Sequence, residues 1–164
     1  MNASIMCGID GSADSQAALA FAERLASRLG TRLVLAHVAE LAHIPYAATT
    51  SFGGSAGRVA VTEEIDSKKE AAEQLLEQAA DAGLADAERR AAVGVPSERL
   101  AELADEEDAE LIVVGSRGRG AFKAAFLGSV SNSLVGVARC PVVIVPPGAA
   151  EHFEYSRGST PMGR

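Results

Sequence analysis

Short aliphatic runs alternate along the chain with segments whose apolar residues recur at helical spacing. Each run is brief and is followed by glycine, proline or polar residues, as expected of a buried strand. The predicted strands cover residues 5–9, 33–38, 91–93, 111–114 and 142–145. Regular alternation of strand and helix is typical of an α/β fold with a mostly parallel sheet.

Four amphipathic segments predict the helices that cover this sheet. The first ends at Gly30, the second at Gly83, and the third begins at Pro96, since glycine favours helix ends and proline the first turn. Ser129 is the predicted N-cap of the fourth helix, where its hydroxyl would accept from a backbone N–H. The apolar stripes contain Ala18, Phe21, Ala22, Leu25 and Leu29; Ala72, Leu75, Leu76 and Ala79; Leu100, Leu103 and Ala104; and Val130, Leu134 and Val137.

Two segments break the alternation. Residues 39–61 predict one long connection, containing Pro45 and several glycine and serine residues, and loops of this length in compact domains are often functional. After Pro146 the chain becomes polar and rich in glycine. We therefore predict one domain over residues 1–147 and a flexible C-terminal tail over residues 148–164.

Composition narrows the class of protein. Apolar residues make up 48% of 164 residues, which is enough for a packed core, and aromatic residues make up only 4%. The net charge of −7 disfavours nucleic acid and anionic membrane surfaces as partners. The sequence shows neither an apolar run of about 20 residues, the length of a membrane span, nor a recognisable signal peptide. We expect a cytoplasmic protein.

Cysteine, histidine and carboxylate residues show no spacing that predicts a metal or catalytic centre. Cys7 and Cys140 stand alone among apolar residues, as buried reduced thiols do. His37 lies within an aliphatic strand and predicts a packed or surface histidine. The other two histidines, His43 and His152, fall in the loop and the tail, and the acidic run 105–108 predicts a solvated helix end.

The segment 115–131 carries the most informative chemistry. It reads Gly-Ser-Arg-Gly-Arg-Gly-Ala-Phe-Lys-Ala-Ala-Phe-Leu-Gly-Ser-Val-Ser, between the fourth strand and the fourth helix. Glycines let backbone N–H groups approach an anion closely, and a helix N-terminus adds unpaired donors. Arg117, Arg119 and Lys123 add positive charge. The pattern indicates a phosphate-binding loop, with a solvated glycine turn as the alternative.

Two common nucleotide motifs do not fit this segment, because Gly120 is not followed by Lys-Ser/Thr and the dinucleotide fingerprint fails at Lys123. A third pattern fits: Gly115, two residues, Gly118, nine residues, then Gly128-Ser129. It resembles the signature of the ATP-binding branch of the universal stress protein family. The Gly8-Ile9-Asp10-Gly11-Ser12, Ala36-His37-Val38 and Cys140-Pro141-Val142 stretches extend the resemblance over residues 1–147.

The resemblance implies a Rossmann-like, five-stranded parallel sheet of order 3-2-1-4-5 with helices on both faces. Strands one and four would then be neighbours where the winding reverses, which is where open α/β sheets bind ligands. Asp10 would contact the ribose or base edge, although it could instead cap the first helix or its preceding turn. The implied binding residues are Gly8, Ile9, Asp10, Val38, Val114, Gly115, Arg117, Gly118, Gly128, Ser129, Val130 and Ser131.

The leading functional hypothesis is therefore a nucleotide-dependent stress-response module that binds ATP, with Mg²⁺ on the phosphates, and at most slow hydrolysis. One alternative is an interaction protein of the same fold that binds no nucleotide. Another is an ATP pyrophosphatase-type enzyme, since Asp10-Gly11-Ser12-Ala13-Asp14-Ser15 faintly resembles the loop of those enzymes. The fifth strand, Val142–Val145, would be an exposed edge, and the resemblance implies a homodimer through it.

Overall fold

A computed structural model of the chain describes residues 3–41, 55–81, 86–118 and 127–149. Its strands are β1 (Ser4–Gly8), β2 (Arg32–Ala39), β3 (Glu88–Val93), β4 (Ala109–Gly115) and β5 (Val142–Val145). The helices are α1 (Ala13–Leu29), α2 (Ser55–Asp81), α3 (Pro96–Glu106) and α4 (Ser129–Val137). Every strand pairing is parallel, and the strand order is β3-β2-β1-β4-β5. The predicted fold class and strand order are confirmed.

Two apolar clusters bury the two faces of the sheet. Side chains of successive strand residues point to opposite faces, so Ile5 and Cys7 face one cluster and Met6 faces the other. The first cluster packs against α1 and α2, and the second against α3 and α4. β1 lies at the centre of the sheet and is buried along its whole length, which explains its continuous apolar run.

The helix that precedes β3 begins earlier than the sequence predicts. Residues 39–61 were predicted as one connection, but β2 includes Ala39 and α2 begins at Ser55. Gly57 and the β-branched residues Val59 and Val61 have low intrinsic helix propensity, and continuation of a long helix overrides that weak preference. The remaining residues of that loop, 42–54, lie outside the described residues, as do Gly83 and the tail from residue 150 onward.

β3 begins at Glu88, before the predicted start at residue 91. The prediction missed its first half because that half is polar and contains no aliphatic run. Glu88 forms an ion pair with Arg32 on the neighbouring strand, with 2.5 Å between Oε1 and Nη1. Arg90 donates through Nε to Glu107 at 2.5 Å. The hydrogen bond from Arg32 lowers the pKa of the Glu88 carboxyl. Charged side chains are normal on an edge strand, so an apolar run alone could not mark where this strand begins.

Helix ends confirm one capping prediction and correct another. Gly30 follows α1 with φ of 65° and its N–H donates to the Ala26 carbonyl, as predicted. Ser129, in contrast, is the first residue of α4, and Gly128 occupies the N-cap without any side-chain hydrogen bond. The predicted serine cap is therefore wrong. Glycine suits the N-cap position because a Cβ atom at Gly128 would lie only 3.3 Å from the Arg117 Cα atom and from the Ser116 carbonyl oxygen.

Both cysteines are free thiols. Cys7 is fully buried in β1, and burial raises the pKa of its thiol to about 12. Cys140 is half-buried before β5, and burial also raises its pKa. Since the thiolate is the reactive and metal-binding form, neither thiol is activated at neutral pH.

Candidate functional site

A cleft of about 620 Å³ opens at the carboxyl ends of β1, β2 and β4. This is the point of the sheet where the winding direction reverses, since β2 and β4 flank β1 on opposite sides. All twelve residues predicted from the resemblance line this one cleft. Eight further residues were not predicted: Ser15, Ala36, His37, Ala39, Glu40, Pro96, Leu100 and Leu127.

One wall of the cleft is apolar. Val38 at the end of β2, Val114 at the end of β4 and Leu100 on α3 are buried residues that reach this surface. Pro96 opens α3 beside them. The sequence placed Leu100 in the helix stripe that packs on the sheet, but spacing could not show that the same face borders a cleft.

Asp10 organises the turn between β1 and α1 through one of its two carboxylate oxygens. Its Oδ1 accepts from the Ser12 N–H at 3.0 Å. The N-cap of α1 is Ser12, whose hydroxyl accepts from the Ser15 N–H at 3.2 Å, so Asp10 shapes the preceding turn rather than capping the helix. The other oxygen, Oδ2, faces Gly118, where a Cβ atom would lie 2.6 Å away.

Close packing between β4 and α1 requires a glycine at position 115. A Cβ atom at this position would lie 2.7 Å from the Asp14 carbonyl carbon and 2.9 Å from the Ser15 backbone nitrogen. Real Cβ contacts essentially never fall that short. Only glycine therefore lets the end of β4 run directly against the first turn of α1, which brings the two halves of the cleft together.

Hydrogen bonds connect the start of α4 to the carbonyl group of Ser116. The Gly128 N–H donates to the Ser116 carbonyl at 2.7 Å. The Ser131 hydroxyl lies within donating distance of the Ser116 carbonyl (3.1 Å) and the Gly128 carbonyl (3.0 Å), and Ser131 is buried. Its hydroxyl thus connects the start of α4 to the loop that precedes it. The backbone N–H groups in the first turn of α4 have no hydrogen-bond acceptor within the helix.

Arg117 is the cation that lines the cleft among the described residues. Its Nε lies 3.4 Å from Asp14 Oδ2, and the same oxygen accepts from the Ser116 hydroxyl at 2.9 Å. The other cations predicted to act here, Arg119 and Lys123, lie outside the described residues. Among the described lining, Asp10 and Glu40 carry negative charge.

His37 ties the ends of two strands together. Its Nδ1 lies 2.6 Å from the Ile9 carbonyl oxygen, so that nitrogen carries the proton and donates. The Ile9 N–H in turn donates to the Ala36 carbonyl at 2.9 Å. His37 is half-buried, in agreement with the prediction of a packed histidine, whereas His43 and His152 lie outside the described residues.

The described residues contain neither a candidate metal centre nor a helix that could span a membrane. Within residues 3–41, 55–81, 86–118 and 127–149, no three His, Cys, Asp or Glu side chains group closely enough to hold a metal ion. Over the same parts of the chain, no helix has the length and apolar character needed to cross a membrane.

Comparison with known proteins identifies the family. Residues 1–146 match the sequence model of the universal stress protein family. The chain belongs to the universal stress protein family. The match includes every residue that lines the cleft.

Individual universal stress proteins are similar over most of the chain. Universal stress protein YxiE of Bacillus subtilis is 35% identical over 150 residues, which cover 86% of this chain and 97% of YxiE. Universal stress protein Rv2005c of Mycobacterium tuberculosis is 33% identical over 86% of this chain, but the matched region is only 47% of its length. The chain thus spans about half of that longer relative.

Solved structures agree with the fold. Universal stress protein UspA from Lactobacillus plantarum aligns with a TM-score of 0.68 at 22% identity, covering 88% of this chain and 97% of UspA. A universal stress protein in complex with cAMP aligns with a TM-score of 0.56 at 28% identity, covering 88% of this chain and 97% of that protein.

Proposed function

We propose that this universal stress protein binds an adenine nucleotide in the cleft between β1, β2, β4 and α4, with ATP as the ligand. The proposal depends on one observation: the cleft combines three chemically different regions that match the three parts of a nucleotide. Its lining includes aliphatic side chains, the carboxylate of Asp10 and the N-terminus of α4. The volume also falls within the usual range for small-molecule sites, about 300–1,000 Å³.

The apolar side suits the base. Val38, Pro96 and Leu100 present aliphatic surface to a flat aromatic ring, and burial of that ring supplies non-directional affinity. In the proposed pose the Val38 backbone recognises the adenine edge, as the family resemblance implies. Gly8, Ile9 and Val114 complete the wall beside it.

Asp10 suits the ribose. An ionised carboxylate accepts hydrogen bonds, and a ribose hydroxyl donates them, so Asp10 can accept a hydrogen bond from a sugar hydroxyl. Gly118 lies beside the Asp10 Oδ2 atom. The ribose would therefore sit at the tip of β1.

The N-terminus of α4 suits the phosphates. Backbone N–H groups of Ser129, Val130 and Ser131 lie in its first turn, where the helix dipole favours negative charge. The Ser129 hydroxyl can add a donor, and Arg117 can add a positive charge. Mg²⁺ would be held mainly by phosphate oxygens and water, which needs few protein ligands.

We expect nucleotide binding to change the conformation of the protein, or the partner that it binds in the cytoplasm, rather than to lead to rapid hydrolysis.

Titration calorimetry with Mg²⁺ should show heat on addition of ATP and a weaker response to GTP, because the contacts around Val38 are proposed to be specific for adenine. No heat at millimolar ATP would contradict the proposal and favour a nucleotide-free interaction protein of the same fold. Release of pyrophosphate with a nucleophilic substrate would instead favour the pyrophosphatase alternative.

Cyclic AMP is the second candidate ligand. A universal stress protein that is 28% identical was solved in complex with cAMP. The described lining also carries two carboxylates against one guanidinium, which favours a singly charged ligand over a triphosphate in Coulomb terms. In the same titration, tighter binding of cAMP than of ATP would select this candidate.

We also propose a homodimer that pairs through β5. This strand is an edge of the sheet, and its residues Val142–Ile144 are only half-buried within one chain. On the preceding helix Val135 and Val137 are 60% and 46% exposed. Exposed aliphatic edges are normally covered, and a two-fold axis would cover both copies at once. Light scattering should give about twice the chain mass of 16.9 kDa, and a single-chain mass at all concentrations would contradict the dimer.

A further inference from the structure

Asp14 contacts the loop that lines the cleft without lining the cleft itself. It lies in the first turn of α1, and its side chain is only 13% exposed. Its Oδ2 accepts from the Ser116 hydroxyl at 2.9 Å and lies 3.4 Å from Arg117 Nε. The backbone of the same residue lies against Gly115. Asp14 thus places a negative charge next to Arg117 but outside the lining of the cleft.

The ion pair between Asp14 and Arg117 is less exposed to solvent than an ordinary surface ion pair. The Arg117 side chain is 31% exposed and the Asp14 side chain 13%, so water screens their interaction less than it screens fully exposed charges. The Ser116 hydroxyl bond also holds the carboxylate, and the close approach of Gly115 holds the Asp14 backbone. The positive charge that Arg117 presents to the cleft is therefore partly compensated before any ligand arrives.

We propose that Asp14 is a specificity-determining residue that limits how strongly the cleft favours ligands with many phosphates. The proposal rests on the proposed nucleotide site. Arg117 attracts the negative charge of each ligand phosphate, whereas Asp14 repels that charge and also competes for the Arg117 guanidinium through the ion pair. A nucleoside without phosphate carries no such charge, and Asp14 has no electrostatic effect on its binding. The consequence is a site whose affinity depends on the base and sugar more than on phosphate number.

The test is a set of titrations with adenosine, AMP, ADP and ATP at fixed ionic strength and Mg²⁺. Asp14→Asn removes the charge but keeps an oxygen that can accept from Ser116. This variant should bind ATP about tenfold more tightly than the wild type, with a smaller gain for AMP and none for adenosine. In the Arg117→Gln background the same change should give a smaller gain, because it then relieves only the repulsion of the phosphates and releases no guanidinium.

Glu98→Gln is the matched control. Glu98 is an exposed carboxylate in the first turn of α3, beside the cleft residues Pro96 and Leu100, so the change removes a comparable charge without touching Arg117. We expect its ATP affinity to stay within about twofold of the wild type, since exposed charges are strongly screened. Melting temperatures of all variants identify any loss of folded protein.

Three outcomes would overturn the role of Asp14 while leaving the nucleotide site intact. They are an equal change for adenosine and ATP, which indicates a purely structural role; weaker ATP binding by Asp14→Asn; and an undiminished gain in the Arg117→Gln background. Failure of the wild type to bind any of the four ligands has a different meaning, because it contradicts the nucleotide site itself and the specificity role with it.

Discussion

Replacing Gly115 with alanine is expected to lower the free energy of unfolding by about 2–3 kcal/mol, as overpacking in a closely packed region does. The added Cβ atom would lie 2.7–2.9 Å from backbone atoms of Asp14 and Ser15. Backbone atoms cannot rotate away as a side-chain end can, so β4 and α1 must separate. Chemical or thermal unfolding followed by circular dichroism measures the loss.

Gly136→Ala is the matched control for this change. Gly136 lies within α4, and a Cβ atom added there would meet nothing within 4 Å. Alanine is a better helix former than glycine, so this variant should be unchanged or more stable by up to about 1 kcal/mol. If Gly115→Ala and Gly136→Ala unfold alike, the close contact between β4 and α1 is not what holds the cleft together.

Replacing Gly118 with alanine should leave stability nearly unchanged but weaken ATP binding about 10- to 100-fold, the usual range for losing a hydrogen bond to a charged group. The added Cβ atom would lie 2.6 Å from Asp10 Oδ2, which is the end of a side chain and can move. Movement of that carboxylate removes the proposed ribose acceptor. Gly118→Val, which is larger, should abolish binding.

Calorimetry and thermal unfolding on the same samples separate these two effects. Gly136→Ala again serves as the control and should bind ATP as the wild type does, because it lies away from the cleft lining. If Gly118→Ala binds ATP with wild-type affinity, the ribose is not held by Asp10 in the way we propose.

The sequence predicted the elements that depend on local pattern. The run that forms β5 was placed with its observed bounds, and Gly30 was predicted to end α1, because a short aliphatic run and a helix-ending glycine are local signals. The start of α2 was missed because Gly57 and β-branched residues weaken the local signal that a long helix overrides.

The residues of the cleft were predicted from a resemblance, but the contacts that each makes within the protein were not. Gly115 and Gly118 were both among the implied binding residues. In the structure the first lies against Asp14 and Ser15, and the second lies against Asp10. The Ser131 hydroxyl lies within hydrogen-bond distance of the Ser116 and Gly128 carbonyl oxygens. These contacts join residues about a hundred positions apart or lie within a folded loop, so no local pattern could reveal them.

A crystal structure grown with ATP and Mg²⁺ would show whether the cleft at the tips of β1 and β4 holds an adenine nucleotide. We expect nucleotide density with the base beside Val38, the ribose at Asp10 and the phosphates at the first turn of α4. A crystal that contains ATP elsewhere, or a cleft that stays empty at saturating ATP, would contradict it.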